Sequence, residues 1–369
     1  MNVLYYVNSK TQKTVEKSGV GRALLHQLKA AELNGINFAS DFDDADVVHI
    51  NTVFPNSVCA AYKAKFKGIP LVYHAHSTRE DFRNSYIGSN LVADLFKEWI
   101  KFCYSLGDVI ITPTEYSKKL LKGYGIKKPI FAVSNGIDIN DYKPTAEKAK
   151  NFREKYGISE DEKVVISAGL LIKRKGITDF AKLAARMPEY KFIWFGSANL
   201  KYVGKEVRKA IKQKAPNLIF AGYVSKPELQ EALSGADLFL FPSLEETEGI
   251  VVLEALAMKI PVLVRNIPVY DGWLENKKSA YMANNLDEFE ALTRGILEKK
   301  LPDLTENGYD VIFQKSLEKT GQQLIEVYRE AIRLCSLRKE KQREFKKACC
   351  KTAEKCNKKP NEQTKARIL

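Results

Sequence analysis

Residues 241–264 read FPSLEETEGIVVLEALAMKIPVLV, and the spacing within this stretch decides how the rest of the chain is read. The apolar run DLFLF ends at Phe241, and a Pro-Ser turn with the acidic residues Glu245, Glu246 and Glu248 follows. From about Gly249 to Met258, Ile250, Leu253, Glu254 and Ala257 fall at helical spacing; Pro261 then closes the helix and PVLV resumes a strand. The stretch is a strand, loop, helix, strand unit. Gly249 lets a ligand approach the N–H groups of the first helical turn, which favour an anion such as a diphosphate. Glu246 and Glu254, on either side, are placed to hold neutral hydroxyls.

The same alternation extends in both directions. Upstream, KVVISAGLL (163–171) is a strand followed by the cationic loop Lys173, Arg174, Lys175 and Gly176, and KFIWFGS and LIFAGYV are further strands separated by helical segments. The first 140 residues repeat the pattern with the strands NVLYYV, DVVHI, PLVYHAHST, DVIITPT and PIFAVSNGID. A turn through Gly19 and Gly21 leads from the first strand into a helix, and glycines there suit a backbone approach to a phosphate or sugar or, equally, a flexible loop. The third strand delivers His74 and His76 to the carboxyl rim, where open α/β sheets bind ligands. The acidic string Asp41, Asp43, Asp44 and Asp46 precedes its strand and reads as a solvated loop, at the wrong end of a parallel sheet for a metal motif. Two doubly wound Rossmann-like α/β domains facing a cleft are expected. The expected boundaries are 1–140 for the first domain and 141–315 for the second, then a helix at 316–337 crossing back to the first domain and a basic tail at 338–369, partly disordered, in which the helix frays.

The chain has 369 residues and a net charge of +14. No window approaches the ~18 consecutive apolar residues of a membrane span, and the N-terminus lacks the order of a signal peptide, so a cytoplasmic protein is expected. The segment 335–369 carries 12 Lys and Arg against 4 Glu. A second basic excess, including Lys63, Lys65, Lys67, Lys97 and Lys101, is interleaved with aromatics and leucines in the first domain. It reads either as a solvated face or as a contact with an anionic surface. The helix LVADLFKEWIKFCYSL aligns Leu95, Trp99, Phe102 and Leu106, a face suited to core packing or to a membrane surface. Nucleic acid is not expected, because the charge is scattered and not gathered into a stripe with stacking aromatics. The six cysteines show no zinc spacing and read as reduced thiols.

The pair Glu246 and Glu254 inside PSLEETEGIVVLEALA, the RKG loop, the NGID turn and the GVG turn together resemble the retaining glycosyltransferases of family 4, which have the GT-B fold. The likeness covers about residues 1–330. The runs SGVGRAL, VVHINT, HAHSTREDFRNSYIGSNL, ITPTEYSK and IPVYDGWL resemble more narrowly the Gram-positive enzymes that add a second hexose to glucosyl-diacylglycerol.

The resemblance implies a UDP-hexose donor, glucose or galactose, a glycolipid acceptor, retention of anomeric configuration and no metal or other cofactor. It also implies a peripheral location on the anionic inner face of the cell membrane. His76, Glu246 and Lys175 would be catalytic. The donor would be held by Gly19, Gly21, Arg174, Lys175, Glu246, Gly249, Ile250, Val251 and Glu254, with Glu254 on the ribose hydroxyls. Leu170 follows Gly169 where many relatives carry arginine, and Arg174 would substitute for that charge. A protein or wall-polymer glycan acceptor, a sugar-nucleotide epimerase and a non-catalytic nucleotide-sugar-binding subunit are the competing readings; the oligomeric state is left open.

Overall fold

The computed structural model describes residues 1–6 and 19–357, with side-chain surroundings through Phe345. The first unit runs β1 (Asn2–Tyr6), α1 (Gly19–Leu33), β2 (Asn37–Phe38), β3 (Val47–Ile50), α2 (Pro55–Lys67), β4 (Leu71–His74), α3 (Arg79–Phe82), α4 (Ser89–Ser105), β5 (Val109–Thr112), α5 (Glu115–Gly123) and β6 (Ile130–Ala132). Its six strands are all parallel, in the order β2-β1-β3-β4-β5-β6. Every residue of β3, β4 and β5 is buried, as expected of strands covered on both faces by helices.

The second unit runs α6 (Ala146–Lys155), β7 (Val164–Ala168), α7 (Ile177–Arg186), β8 (Lys191–Phe195), α8 (Lys205–Lys212), β9 (Leu218–Gly222), α9 (Lys226–Gly235), β10 (Leu238–Phe241), α10 (Ile250–Ala257), β11 (Val262–Arg265), β12 (Tyr281–Ala283), α11 (Leu286–Leu297) and α12 (Thr305–Ile312). Its strands are again parallel, in the order β12-β11-β10-β7-β8-β9. The order reverses between β7 and β10, and the loops after these two strands are the cationic loop and the glutamate loop. In the first sheet the reversal lies between β1 and β3, beside the start of α1. Ligands of open parallel sheets bind at such switch points, so each sheet presents one to the cleft.

The chain passes between the units twice, side by side. Ile137 donates its N–H to the Lys315 carbonyl at 2.9 Å, and Leu317 donates to the Ile137 carbonyl at 3.1 Å. Gly136 sits there with φ 78°, and a Cβ on it would meet Leu317 and Thr320 at 2.8 Å, so the Asn-Gly turn is required by both backbone and space. α13 (Leu317–Asn357) then returns to the first unit and packs Leu324, Val327, Tyr328 and Ala331 against α1 and the sheet.

Several sequence expectations change. Gly19 and Gly21 lie inside the first turn of α1 and not in a turn before it. β2 and β12 are short edge strands that the apolar pattern does not announce. α6 packs on α9 in the second unit. The crossover helix does not stop at 337: α13 continues to Asn357, and Arg338 pairs with buried Asp108 of the first unit. The remainder of the expected disordered tail, 358–369, lies outside the described residues. On α4, Leu95, Trp99 and Phe102 are exposed, while Ala93, Ile100, Cys103 and Tyr104 supply the buried face. Cys59, Cys103 and Cys335 are free thiols.

Candidate active site

Gly249 caps α10 in the left-handed region, at φ 87° and ψ 63°, which a side chain would strain. α10 therefore begins abruptly at Ile250, and by helix geometry the first-turn N–H groups of Ile250 and Val251 have no acceptor within the helix. Glu246 precedes this start and is buried. Its Oε1 accepts from Lys175 Nζ at 2.5 Å and from Ser243 Oγ at 2.6 Å, with Arg174 Nη1 at 3.8 Å. Burial alone would raise this carboxyl, but Lys175 first and Arg174 next hold it below the usual range. Burial also pulls the Lys175 ammonium down despite Glu246.

Glu254 is fully buried in α10. Its Oε1 accepts from Arg22 Nη1 at 2.5 Å and from Tyr142 Oη at 2.7 Å. Its Oε2 is buried with no hydrogen-bond partner. An unsatisfied carboxylate oxygen is costly inside a protein, so a ligand hydroxyl reaching it would be held strongly. Arg22 lies three residues after Gly19 on α1, so the GVG helix of the first unit delivers its cation to the second unit's carboxylate.

His76 follows β4 and is buried. It donates Nε2–H to Asn51 Oδ1 at 2.8 Å, which leaves Nδ1 as an acceptor. His74 stacks beneath it with ring centroids 4.1 Å apart and bonds His49 Nε2 through Nδ1 at 3.2 Å. His49 Nδ1 meets Tyr328 Oη at 2.7 Å, so the ladder is anchored on α13. Burial pushes His76 and His49 each down to about 3, and His74 well below its ordinary value, so all three are neutral imidazoles at neutral pH. His74 is thus a support beneath the site and is not itself at the rim.

Because these folded-state values lie below the unfolded 6.5, the unfolded chain binds more protons between about pH 6.5 and 3, and stability is lost as pH falls through that window. Urea unfolding between pH 7.5 and 5.5 is expected to show this loss. His49→Gln should flatten the slope by up to about 1.4 kcal/mol per pH unit, one proton's worth; an unchanged slope would mean that His49 is charged in the folded protein.

Other expected residues are placed differently. Arg174 is turned toward the first unit: its N–H donates to the Asn84 carbonyl at 3.0 Å, Nε to Ser85 Oγ at 3.1 Å and Nη1 to the Glu245 carbonyl at 2.8 Å. It braces the cleft through Nε and Nη1, and the same guanidinium lies beside Glu246. Gly19 is exposed and Gly21 buried at the start of α1. Glu248 is committed to the domain crossings: it accepts from Asn135 N–H at 2.9 Å, Asn135 Nδ2 at 2.8 Å, Ser134 Oγ at 2.5 Å and Lys315 Nζ at 3.1 Å, clamping the two crossings together.

Asn51, Arg22, Tyr142 and Asp81 were not singled out by sequence. Asp81 is half-buried, and desolvation pushes its carboxyl up although Arg174 lowers it. Glu245 is pushed up to about 7 by burial, against a hydrogen bond from Tyr116, with Asp81, Glu80 and Glu246 adding to the rise. Arg22 carried a signal, since it closes the GVGR run at one helical turn from Gly19.

Residues 148–310 match the family described as Glycosyl transferases group 1, and residues 21–141 match Glycosyltransferase Family 4. A processive diacylglycerol alpha-glucosyltransferase of Acholeplasma laidlawii is 42% identical over 336 residues, 90% of this chain and 99% of that one. The chain belongs to glycosyltransferase family 4. It has the GT-B fold and is an enzyme of the hexosyltransferase class. An alpha-galactosylglucosyldiacylglycerol synthase of Streptococcus pneumoniae is 27% identical, covering 84% of each chain. The structure of Anabaena HepE in complex with UDP-glucose superposes with a TM-score of 0.71 over 89% of this chain and 99% of that one, at 18% identity, a likeness of fold.

Proposed function

We propose that this family-4 enzyme transfers a hexose, glucose in the first instance, from a UDP-sugar to a diacylglycerol-linked acceptor with retention of anomeric configuration. The acceptor is glucosyl-diacylglycerol, or diacylglycerol itself. The names of the two glycolipid-synthesising relatives support the acceptor class. The observation that carries it here is the surface of α4. Leu91 is 88% and Leu95 73% exposed, Trp99 and Phe102 are exposed beside them, and Lys97 and Lys101 lie on the same helix. α4 begins at the mouth of the cleft, where Ile87 N–H donates to the Tyr202 carbonyl of the second unit at 2.9 Å. Among the described residues no helix is long and apolar enough to cross a membrane, so such a face would rest on one. Each lysine near an anionic surface adds on the order of 1 kcal/mol. We place the enzyme on the inner face of the cell membrane.

In this reading Glu254 Oε2 accepts a ribose hydroxyl, and the first turn of α10 with Lys175 receives the diphosphate. The glycosidic C1–O bond breaks as negative charge grows on that leaving group, and fixed cations and N–H groups stabilise it without a metal or other cofactor. The acceptor hydroxyl attacks C1 from the same face and gives its proton to a leaving diphosphate oxygen. His76, neutral and fixed by Asn51, offers a hydrogen-bond acceptor to the transferred sugar, and Glu246 lies beside it.

The test is transfer from UDP-glucose or UDP-galactose to diacylglycerol and glucosyl-diacylglycerol in vesicles containing anionic lipid, comparing wild type with Leu91→Glu/Leu95→Glu. The expected result is a chromatographically distinct glycolipid. The variant should bind vesicles at least about 100-fold more weakly, from the lost burial of two leucines at about 1.5–3 kcal/mol each, while binding UDP as wild type does. Transfer to protein or wall-polymer glycans with no lipid product would overturn the reading.

A further inference from the structure

Far from the cleft, at the opposite ends of the first sheet's strands, the structure holds a cavity of about 800 Å³. Asp108 and Lys128 precede β5 and β6 and form one wall; the other is α13 where it leaves the sheet. Leu337, Arg338, Lys341 and Phe345 project from α13 at helical spacing into that space. The charge there is unbalanced. Asp108 is the one carboxylate lining the cavity among the described residues, and it is already committed: Oδ2 accepts from Leu71 N–H at 3.0 Å and Oδ1 from Arg338. Lys128, Arg338 and Lys341 therefore face it as three cations against one carboxylate. Lys65 stands close enough that its ammonium is pulled down by burial, then by Lys128, with Arg338 adding to the fall. Lys128 and Arg338 are half-buried and Lys341 is exposed, so water carries part of this charge, and an anion entering the cavity would meet a net positive field.

The remaining lining is apolar and partly open to solvent, with Phe345 71% and Leu337 40% exposed. A small inorganic anion would leave this part unused. A molecule with a phosphate at one end and a hydrocarbon chain at the other would satisfy both halves. We propose that this cavity binds a phosphate-bearing amphiphile, its phosphate among Lys128, Arg338 and Lys341 and its chain along Leu337 and Phe345. The site is separate from the cleft and does not depend on which acceptor the enzyme uses. It lies at the end of α2, where Cys335 Sγ reaches the Gly68 carbonyl at 3.4 Å, so a bound amphiphile would touch both the sheet and the returning helix.

The full chain is titrated by calorimetry with dihexanoyl-phosphatidylglycerol below its micelle concentration, with inorganic phosphate and with dihexanoylglycerol. The expected result is at least tenfold tighter binding of the phosphatidylglycerol than of either fragment. Lys128→Gln/Lys341→Gln should weaken it at least tenfold with an unchanged Tm and unchanged UDP affinity. Phe345→Ser should weaken the amphiphile while leaving the response to phosphate as it was. Equal affinity for inorganic phosphate would make this a site for free phosphate, equal affinity for dihexanoylglycerol would make it a plain apolar groove, and undiminished binding by the double variant would place the ligand elsewhere; each overturns the proposal. Because binding and not turnover is read, an enzyme that fails to glycosylate diacylglycerol would leave this result standing.

Discussion

Glu246→Gln is expected to lower kcat for sugar transfer by on the order of 10²–10³-fold, the range for removing one preorganised electrostatic group from a transition state. The amide keeps the shape of the side chain and a partner for Ser243, which now bonds Oε1 at 2.6 Å, so the fold should survive. What is lost is the charge that Lys175 meets at 2.5 Å. Lys175→Met should cost as much by removing the cation assigned to the diphosphate, while its chain still packs near the Phe241 ring, 5.3 Å from the ammonium in the native protein. Each of these variants strips one member of a buried ion pair, at a cost of about 3–5 kcal/mol of stability; alanine at either position is a poorer test because it also opens a cavity and further confuses folding with chemistry. Steady-state kinetics with thermal unfolding of the same preparations separates the two; near-native kcat in Glu246→Gln would remove Glu246 from the chemistry.

Glu254→Ala should act on donor affinity. It removes the unpartnered Oε2 and leaves Arg22 and Tyr142 without the acceptor they share. A hydrogen bond to a charged group contributes about 1.5–3 kcal/mol, so KM for the UDP-sugar should rise about 10- to 150-fold, more than kcat falls. Tyr142→Phe should raise KM by less, since Arg22 still holds Oε1. Binding of UDP alone, followed by calorimetry, should weaken in parallel with KM; a variant with native UDP affinity and depressed kcat would put Glu254 on the sugar and not on the nucleoside.

Much of this architecture was legible because parallel strands and amphipathic helices write different periods. β10, the glutamate loop, α10 and β11 follow in the expected order, and the cationic loop falls beside them because β7 and β10 are neighbours in the sheet. The parts that could not be read depend on contacts across the cleft. No local pattern announces that Arg22 reaches Glu254 from 232 residues away, or that Arg174 is drawn toward Ser85 by the first unit. Asn51 looks like an ordinary strand end until His76 is found beside it. Glu248 shares an acidic run with Glu246, yet the helix start turns it to the opposite side, where Asn135 and Lys315 wait. β2 and β12 are only two and three residues long, too short for a period to show. The apolar face of α4 was ambiguous for a different reason: leucines spaced along a helix read the same whether they meet a core or a surface, and only their exposure takes them out of the core.

The most direct measurement is the product itself: wild-type enzyme, UDP-glucose and glucosyl-diacylglycerol in anionic vesicles, with the new glycosidic linkage assigned by nuclear magnetic resonance. The cleft described here predicts a diglucosyl-diacylglycerol whose new linkage is α, retained from the α-linked donor, and whose formation fails in Glu246→Gln. A β linkage, or a glycolipid formed equally well by that variant, would contradict it.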